Sequence, residues 1–412
     1  MKIALIMGRG VEGCGVTRNV IEFQKHYSDS KVFATNDKKW PRKDSMYLDR
    51  IEFNCATPEQ MLSVVEEINS NFDAAIIYSV PSLKHNDKCI NNFITLLNSL
   101  NVTKAMIQVD HNNASIIRNA RLADVCNSMD IIMTHSLHGS FASWCDKNKV
   151  STPLITMGVG FDYDSHRNKW WKPIEAQNPK MIKWIGRCAM WKGPVELIKL
   201  HNDFLRQESF ITTLEGLEAS VQSLLITHED GFNKSIKRDV QEFIRGKNRD
   251  MAKQWYNNEI PGTAPYLYPE YKNEECMERL SLSAFGSDLY NLKPQYYGNN
   301  IEYCHAEVIA SGTVPIFHKH FGDHIIHPKT GNPATKDNSG VVWYNPQIPN
   351  DCANQIIEIS NDSGLRNDMR ERAFEYWKSH SDSSIVFTDI INKVKSAKQQ
   401  PRTNLNIERF FA

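Results

Sequence analysis

The feature that most constrains this chain is the alternation of short, strongly apolar runs with stretches of helical periodicity. Lys2–Met7, Ala74–Val80, Ala105–Asp110, Ile131–His135 and Leu154–Val159 have strand length and are bounded by polar residues or Gly. Between them, Thr57-Pro58-Glu59-Gln60 opens a helix: Thr57 can cap, Pro58 suits the first position and Gln60 can reach back to the cap. Met61, Leu62, Val64, Val65 and Ile68 then hold one apolar face. Such alternation implies parallel strands covered by helices on both faces.

The pattern is interrupted by Asp162–Lys169, which is polar, lacks periodicity and reads as a linker. A second series begins at Met181–Gly186 and continues through Phe210–Leu214, Val314–Phe317 and Val341–Tyr344. Two doubly wound α/β domains are expected, over 1–165 and 175–380, and 412 residues suffice for both cores. Ligands of such sheets sit at the carboxyl ends of the strands, here in a cleft between the two domains. Residues 381–412 read as a C-terminal helix and tail, with Ile385, Phe387, Ile390, Ile391 and Val394 at helical spacing; one course for them is a return to the first domain.

Composition removes several classes. With 41% apolar and 23% charged residues, the chain is not a disordered one. Lys+Arg and Asp+Glu are both 48, and a net charge of zero argues against an indiscriminate nucleic-acid coat while leaving room for a local basic face. No apolar run reaches the roughly 18–20 residues of a membrane span, and Arg9 and Glu12 follow the first strand too soon for a signal peptide. Nine scattered cysteines without a CxxC pair fit reduced thiols. The expectation is a cytoplasmic protein without a structural metal.

Three segments carry chemistry. Gly8-x-Gly10-x-x-Gly13-Cys14-Gly15 follows the first strand, with Asp37 near the place of a ribose-binding acid. Glycines there permit close backbone approach to a ligand, as in a dinucleotide site; a tight strand-to-helix turn explains them equally. Arg187 and Lys192, in Gly186-Arg187-Cys188-Ala189-Met190-Trp191-Lys192-Gly193, follow a strand of the second half and can offer two cations to a diphosphate. The alternative is a solvated helix start. Glu307, on a helix that ends at Gly312-Thr313 before a strand, could accept both hydroxyls of a ribose, or could belong to an ordinary amphipathic helix.

Arg187, Lys192 and the downstream Glu307-x-x-x-x-Gly312-Thr313 together resemble the nucleotide-sugar domain of GT-B glycosyltransferases. Arg9–Thr17, Trp184–Arg187, Trp191–Gly193 and Ser339–Trp343, with Ser79-Val80-Pro81 and Asp382-Ser383-Ser384, are similar to the DNA α-glucosyltransferases of T-even bacteriophages, over residues 1 to about 395. That resemblance implies a retaining enzyme that moves a sugar from a UDP-sugar, glucose first, to 5-hydroxymethylcytosine in double-stranded DNA. It implies no cofactor or metal, the cytoplasm of the infected host, and phage replication proteins as further partners. Rival readings are a pentose donor such as UDP-arabinose, a carbohydrate acceptor, an idle DNA-binding protein on the same scaffold, and an NAD-dependent dehydrogenase. The last leaves Arg187, Lys192 and Glu307 unexplained.

By the same resemblance, Arg187 and Lys192 bind the donor diphosphate, Glu307 holds the ribose, Gly312 and Thr313 complete that site, and Gly13, Cys14 and Gly15 face the donor from the first domain. Glu22 and His111 fall on the acceptor side, and Asp110 orients the acceptor. Val109 stands where the family has His, which puts the sugar or the acceptor geometry in question. Asn299 occupies the place of a carboxylate that retaining GT-B enzymes carry eight residues before the ribose Glu, and Glu302 is a candidate substitute. A base must leave the duplex to reach such a site. Lys237, Arg238, Arg245 and Lys247, near Phe243, Trp255 and Tyr256, form one candidate DNA face; Lys38, Lys39, Arg42 and Lys43 around Trp40 form another. Either stretch also reads as an ordinary exposed segment.

Overall fold

The structure, a computed structural model, describes residues 1–8, 15–35, 50–79, 87–108, 122–137, 140–186, 192–215, 267–268, 273–289, 301–323, 325–327 and 330–397. The chain divides into two units. One runs from Met1 to Phe161 and takes in the chain again from Ser381; the other begins at Asp162 and ends at His380.

The first unit is built on strands β1 (Ile3–Met7), β2 (Ser30–Thr35), β3 (Arg50–Phe53), β4 (Ala74–Ser79), β5 (Thr103–Gln108), β6 (Ile131–Thr134) and β7 (Leu154–Thr156). They form a parallel sheet in the order β3-β2-β1-β4-β5-β6-β7. Every residue of β1 is buried, because both sheet faces are covered. Ala4 and Ile6 join a core with Met61 and Val64 of helix Pro58–Asn71 and Phe93 of helix Asp87–Ser99. Ile3, Leu5 and Met7 point the other way, against Val20 and Phe23 of α1 (Gly15–His26) and Phe387 and Ile390 of the last helix, Ser383–Ser396.

That last helix corrects one detail of the expected apolar face: Ile385 is exposed and Val386 is buried in its place. Gly160 lies against it so closely that a Cβ there would meet the Phe387 ring at 2.8 Å. At helix Pro58–Asn71 the reach-back also differs. The Gln60 side chain accepts from the backbone N–H of Asn54 at 2.8 Å, and Thr57 makes no side-chain cap bond.

The second unit pairs β8 (Asn178–Ile185), β9 (Ile211–Glu215), β10 (Leu267–Tyr268), β11 (Ser283–Asp288), β12 (Val314–His318) and β13 (Val342–Tyr344) in the order β10-β9-β8-β11-β12-β13, again in parallel. Its core packs Ile182, Trp184, Phe285 and Ile316 against Leu197, Leu200, Ile356 and Ile359. The expected linker is instead a helix, Tyr163–Trp170. Asp162 caps it by accepting from Ser165 N–H at 3.0 Å, and Tyr163 and His166 are its buried face. Its polar side is held by Arg167, which pairs with Glu371 at 2.9 Å and lies over the Trp171 ring.

Candidate active site

In each sheet the chain leaves the first strand in both directions, so each has a switch point where ligands of doubly wound folds bind. In the first unit it lies between β1 and β4. There Thr35 donates its hydroxyl to Gly8 O at 2.9 Å, and α1 begins at Gly15, which has open space where a side chain would be. Glu22, further along α1, is buried and ion-paired to Arg18 at 3.0 Å and Lys25 at 3.5 Å. Gly13, Cys14, Asp110 and His111 lie outside the described residues, as do Asp37 and Val109.

The second switch point lies between β8 and β11. The chain leaves β8 through Gly186 at φ 145° and returns through Lys192 to Gly193 at φ 65°. The left-handed turn at Gly193 needs glycine for a second reason as well: a Cβ would stand 2.5 Å from the Leu289 carbonyl oxygen. The Trp184 indole N–H donates to the Lys192 carbonyl at 2.9 Å, fixing where the lysine side chain starts. Its ammonium then reaches Asp288 Oδ2 at 3.0 Å, at the carboxyl end of β11, and Glu302 Oε2 at 3.3 Å.

Glu302 is the N-cap of the helix Tyr303–Ala310. Its backbone N–H donates to His305 Nδ1 at 3.2 Å, so the imidazole proton sits on Nε2, 3.3 Å from the Asp288 carbonyl oxygen. Burial, with Lys192 nearby, drives the His305 pKa down to about 3. His305 is therefore neutral between Phe317 and Phe321, whose ring centroids lie 4.4 and 4.3 Å away. Burial alone would push the Lys192 ammonium down; Asp288 and then Glu302 overturn this and hold its pKa above the ordinary value. Burial also pushes the Cys304 thiol up, with Lys192 opposing and Asp288, Glu307 and Glu302 adding to the rise.

Lys192, Glu302 and Glu307 thus share one electrostatic neighbourhood around Cys304. Glu307 is buried on the helix, which ends at Gly312 with φ 77° packed on the Trp171 ring. Thr313 is fully buried and its hydroxyl donates to Val308 O at 2.8 Å, so its side chain secures the helix end. Asp288 and His305 are additions that the sequence did not single out. Arg187, Asn299, Lys237, Arg238, Arg245 and Lys247 lie outside the described residues, as do both candidate DNA segments. Among the described residues no group of three or more His, Cys, Asp or Glu could hold a metal ion, and no helix is long and apolar enough to cross a membrane.

The family model for DNA α-glucosyltransferase matches residues 14–364. The chain belongs to the DNA α-glucosyltransferase family. The DNA α-glucosyltransferase of Enterobacteria phage T4 is 29% identical over 414 residues, covering 95% of this chain and 100% of that one. A solved α-glucosyltransferase in complex with UDP and a 13-mer DNA containing an HMU base superposes with a TM-score of 0.81 at 27% identity. Another, in complex with UDP-glucose and DNA containing an abasic site, gives 0.79 at 27%; each comparison covers 96% of this chain and 100% of the other. This member is accordingly a UDP-sugar-dependent glycosyltransferase with a GT-B fold. The dehydrogenase reading of the glycine loop falls with that result.

Proposed function

We propose that this α-glucosyltransferase moves glucose from UDP-glucose to the hydroxyl of 5-hydroxymethylcytosine in double-stranded DNA, in the infected bacterial host and without a metal. The observation that carries the reading is the end-to-end likeness to a solved relative in complex with UDP-glucose and DNA, all of whose length this chain covers. Donor and acceptor halves of such an enzyme thus both have counterparts in this chain.

In this reading Lys192, with Arg187, stabilises the diphosphate as it takes up charge, the work a metal does elsewhere. Glu307 accepts from the ribose hydroxyls, and the glycine loop after β1 faces the donor. The target base is extruded from the duplex. The acceptor oxygen attacks the anomeric carbon from the face that UDP leaves. The carbon–oxygen bond to phosphate breaks, the departing phosphate oxygen takes the acceptor proton, and configuration is retained. Asp110 orients the acceptor. Phage replication proteins are further partners in the same setting.

Val109, in the place of a family His, supports a second reading with a pentose donor such as UDP-arabinose. Mass spectrometry of hydroxymethylated duplex incubated with a panel of UDP-sugars in EDTA separates the two. A hexose mass gain is expected. A pentose gain favours the second reading, and activity that returns only with Mg²⁺ or Mn²⁺ overturns the metal-free site.

A further inference from the structure

Resting on the reading of Lys192 as a cation that faces the donor diphosphate, we propose that Asp288 is a positioning residue, which keeps Lys192 charged and fixes the direction of its ammonium. Asp288 is fully buried, ends β11 and lies across the switch point from the loop that carries Lys192. Its carboxylate is held 3.0 Å from the ammonium, and its backbone carbonyl accepts from His305 Nε2 at 3.3 Å. The paired residue on β12 is Phe317, which also packs on His305. The carboxylate is therefore anchored at its root by a neighbouring helix and strand.

A lysine this buried would lose its proton readily without a counter-charge, and a neutral amine cannot stabilise a departing diphosphate. The groups facing it are Asp288 from β11 and Glu302, Cys304 and His305 from the helix Tyr303–Ala310 and its cap. His305 is neutral and burial keeps the Cys304 thiol protonated, so the two carboxylates supply the compensation. They are not equivalent. The Glu302 side chain is 40% exposed and 3.3 Å away, where solvent weakens an ion pair; Asp288 is 0% exposed and closer.

The test is the pH profile of kcat/KM for glucosyl transfer by wild type, Asp288→Asn and Asp288→Asn/Lys192→Arg, over about pH 6 to 10. Wild type should show no alkaline loss from this lysine. Asp288→Asn should lose about tenfold per pH unit above the lowered lysine pKa. The double variant should lack that limb, because a guanidinium stays charged throughout. An Asp288→Asn profile parallel to wild type, or a limb that persists in the double variant, overturns the proposal. Lys192→Ala with unchanged kcat and unchanged UDP affinity would instead overturn the reading on which it rests.

A second measurement does not depend on the folding of Asp288→Asn. The ¹³Cε resonance of Lys192, assigned by its loss in Lys192→Arg, should not titrate below about pH 10 in Glu302→Gln, since Asp288 remains. A titration brought below that pH by Glu302→Gln alone would assign the role to Glu302 and refute the proposal.

Discussion

The indole N–H of Trp184 donates to the backbone carbonyl of Lys192 at 2.9 Å, tying the strand that enters the second switch point to the loop that leaves it. Trp184 is fully buried on β8, in register with Leu214 of β9 and Ser287 of β11. The next residue, Gly193, lies against Leu289. Trp184→Phe removes the donor, and loss of this buried hydrogen bond should cost about 0.5–1.5 kcal/mol in denaturant unfolding. Because the lysine loses its fixed origin, kcat should fall more than KM for UDP-glucose rises. A destabilised variant with unchanged kcat would mean that this bond serves only the core.

Lys192→Ala should act on both stability and rate. It removes the cation 3.0 Å from the buried Asp288 carboxylate, a change on the order of 3–5 kcal/mol for such pairs. Turnover should drop by about 10²–10³, the scale for loss of a preorganised charge stabiliser. Lys192→Met/Asp288→Leu should recover much of the stability and none of the turnover. Recovery of turnover would contradict a role for the ammonium in catalysis.

Glu307→Gln should weaken UDP binding, since a carboxylate accepts hydroxyl hydrogen bonds more strongly than an amide. A UDP analogue lacking both ribose hydroxyls should bind wild type and variant about equally in calorimetry. Equal losses for UDP and the analogue would show that Glu307 acts on the helix it sits in and not on the ribose.

His305 makes the fold sensitive to acid. Its folded pKa, about 3, lies below the unfolded value. From about pH 6.5 downward the unfolded chain therefore binds the extra proton, and stability falls with pH until about pH 3 is reached. The slope for one such group is about 1.4 kcal/mol per pH unit. Between pH 6 and 5, where most carboxylates are still ionised, His305→Gln should flatten the dependence of unfolding free energy on pH by close to one proton. An unchanged slope would show that His305 is protonated in the folded protein.

Much of this arrangement was legible in the residues, and what was not has physical causes. β1 is a continuous apolar run, and β4 and β12 are apolar up to their last residues, because parallel strands covered on both faces need no polar side. β11 is Ser-Ala-Phe-Gly-Ser-Asp and carries no such signal. Its small residues answer to close packing: a Cβ on Gly286 would meet Thr313 Oγ1 and Val308 Cγ1 at 2.6 Å. With the strand hidden, the Asp at its end was hidden too. The helix Tyr163–Trp170 was masked in the same way, since it buries Tyr163 and His166 while long-range partners such as Glu371 hold the rest. Lys192 and Glu307 stand out in the sequence because loop glycines and a family resemblance mark their neighbourhoods. The contact of Lys192 with Asp288 and Glu302 is a product of tertiary folding that no local pattern encodes.

The central claim is that the acceptor is the hydroxymethyl group of a modified cytosine in DNA. Cytosine offers no alcohol, so the hydroxyl must already be present on the base and the enzyme has only to bring it to about 3–3.5 Å from the anomeric carbon. The most direct measurement compares initial rates of transfer from UDP-glucose to matched duplexes that carry cytosine, 5-methylcytosine or 5-hydroxymethylcytosine, with free sugar as a fourth acceptor. Transfer confined to the 5-hydroxymethylcytosine duplex is the predicted result. Comparable transfer to the first two duplexes, or faster transfer to the free sugar than to the third, would contradict it.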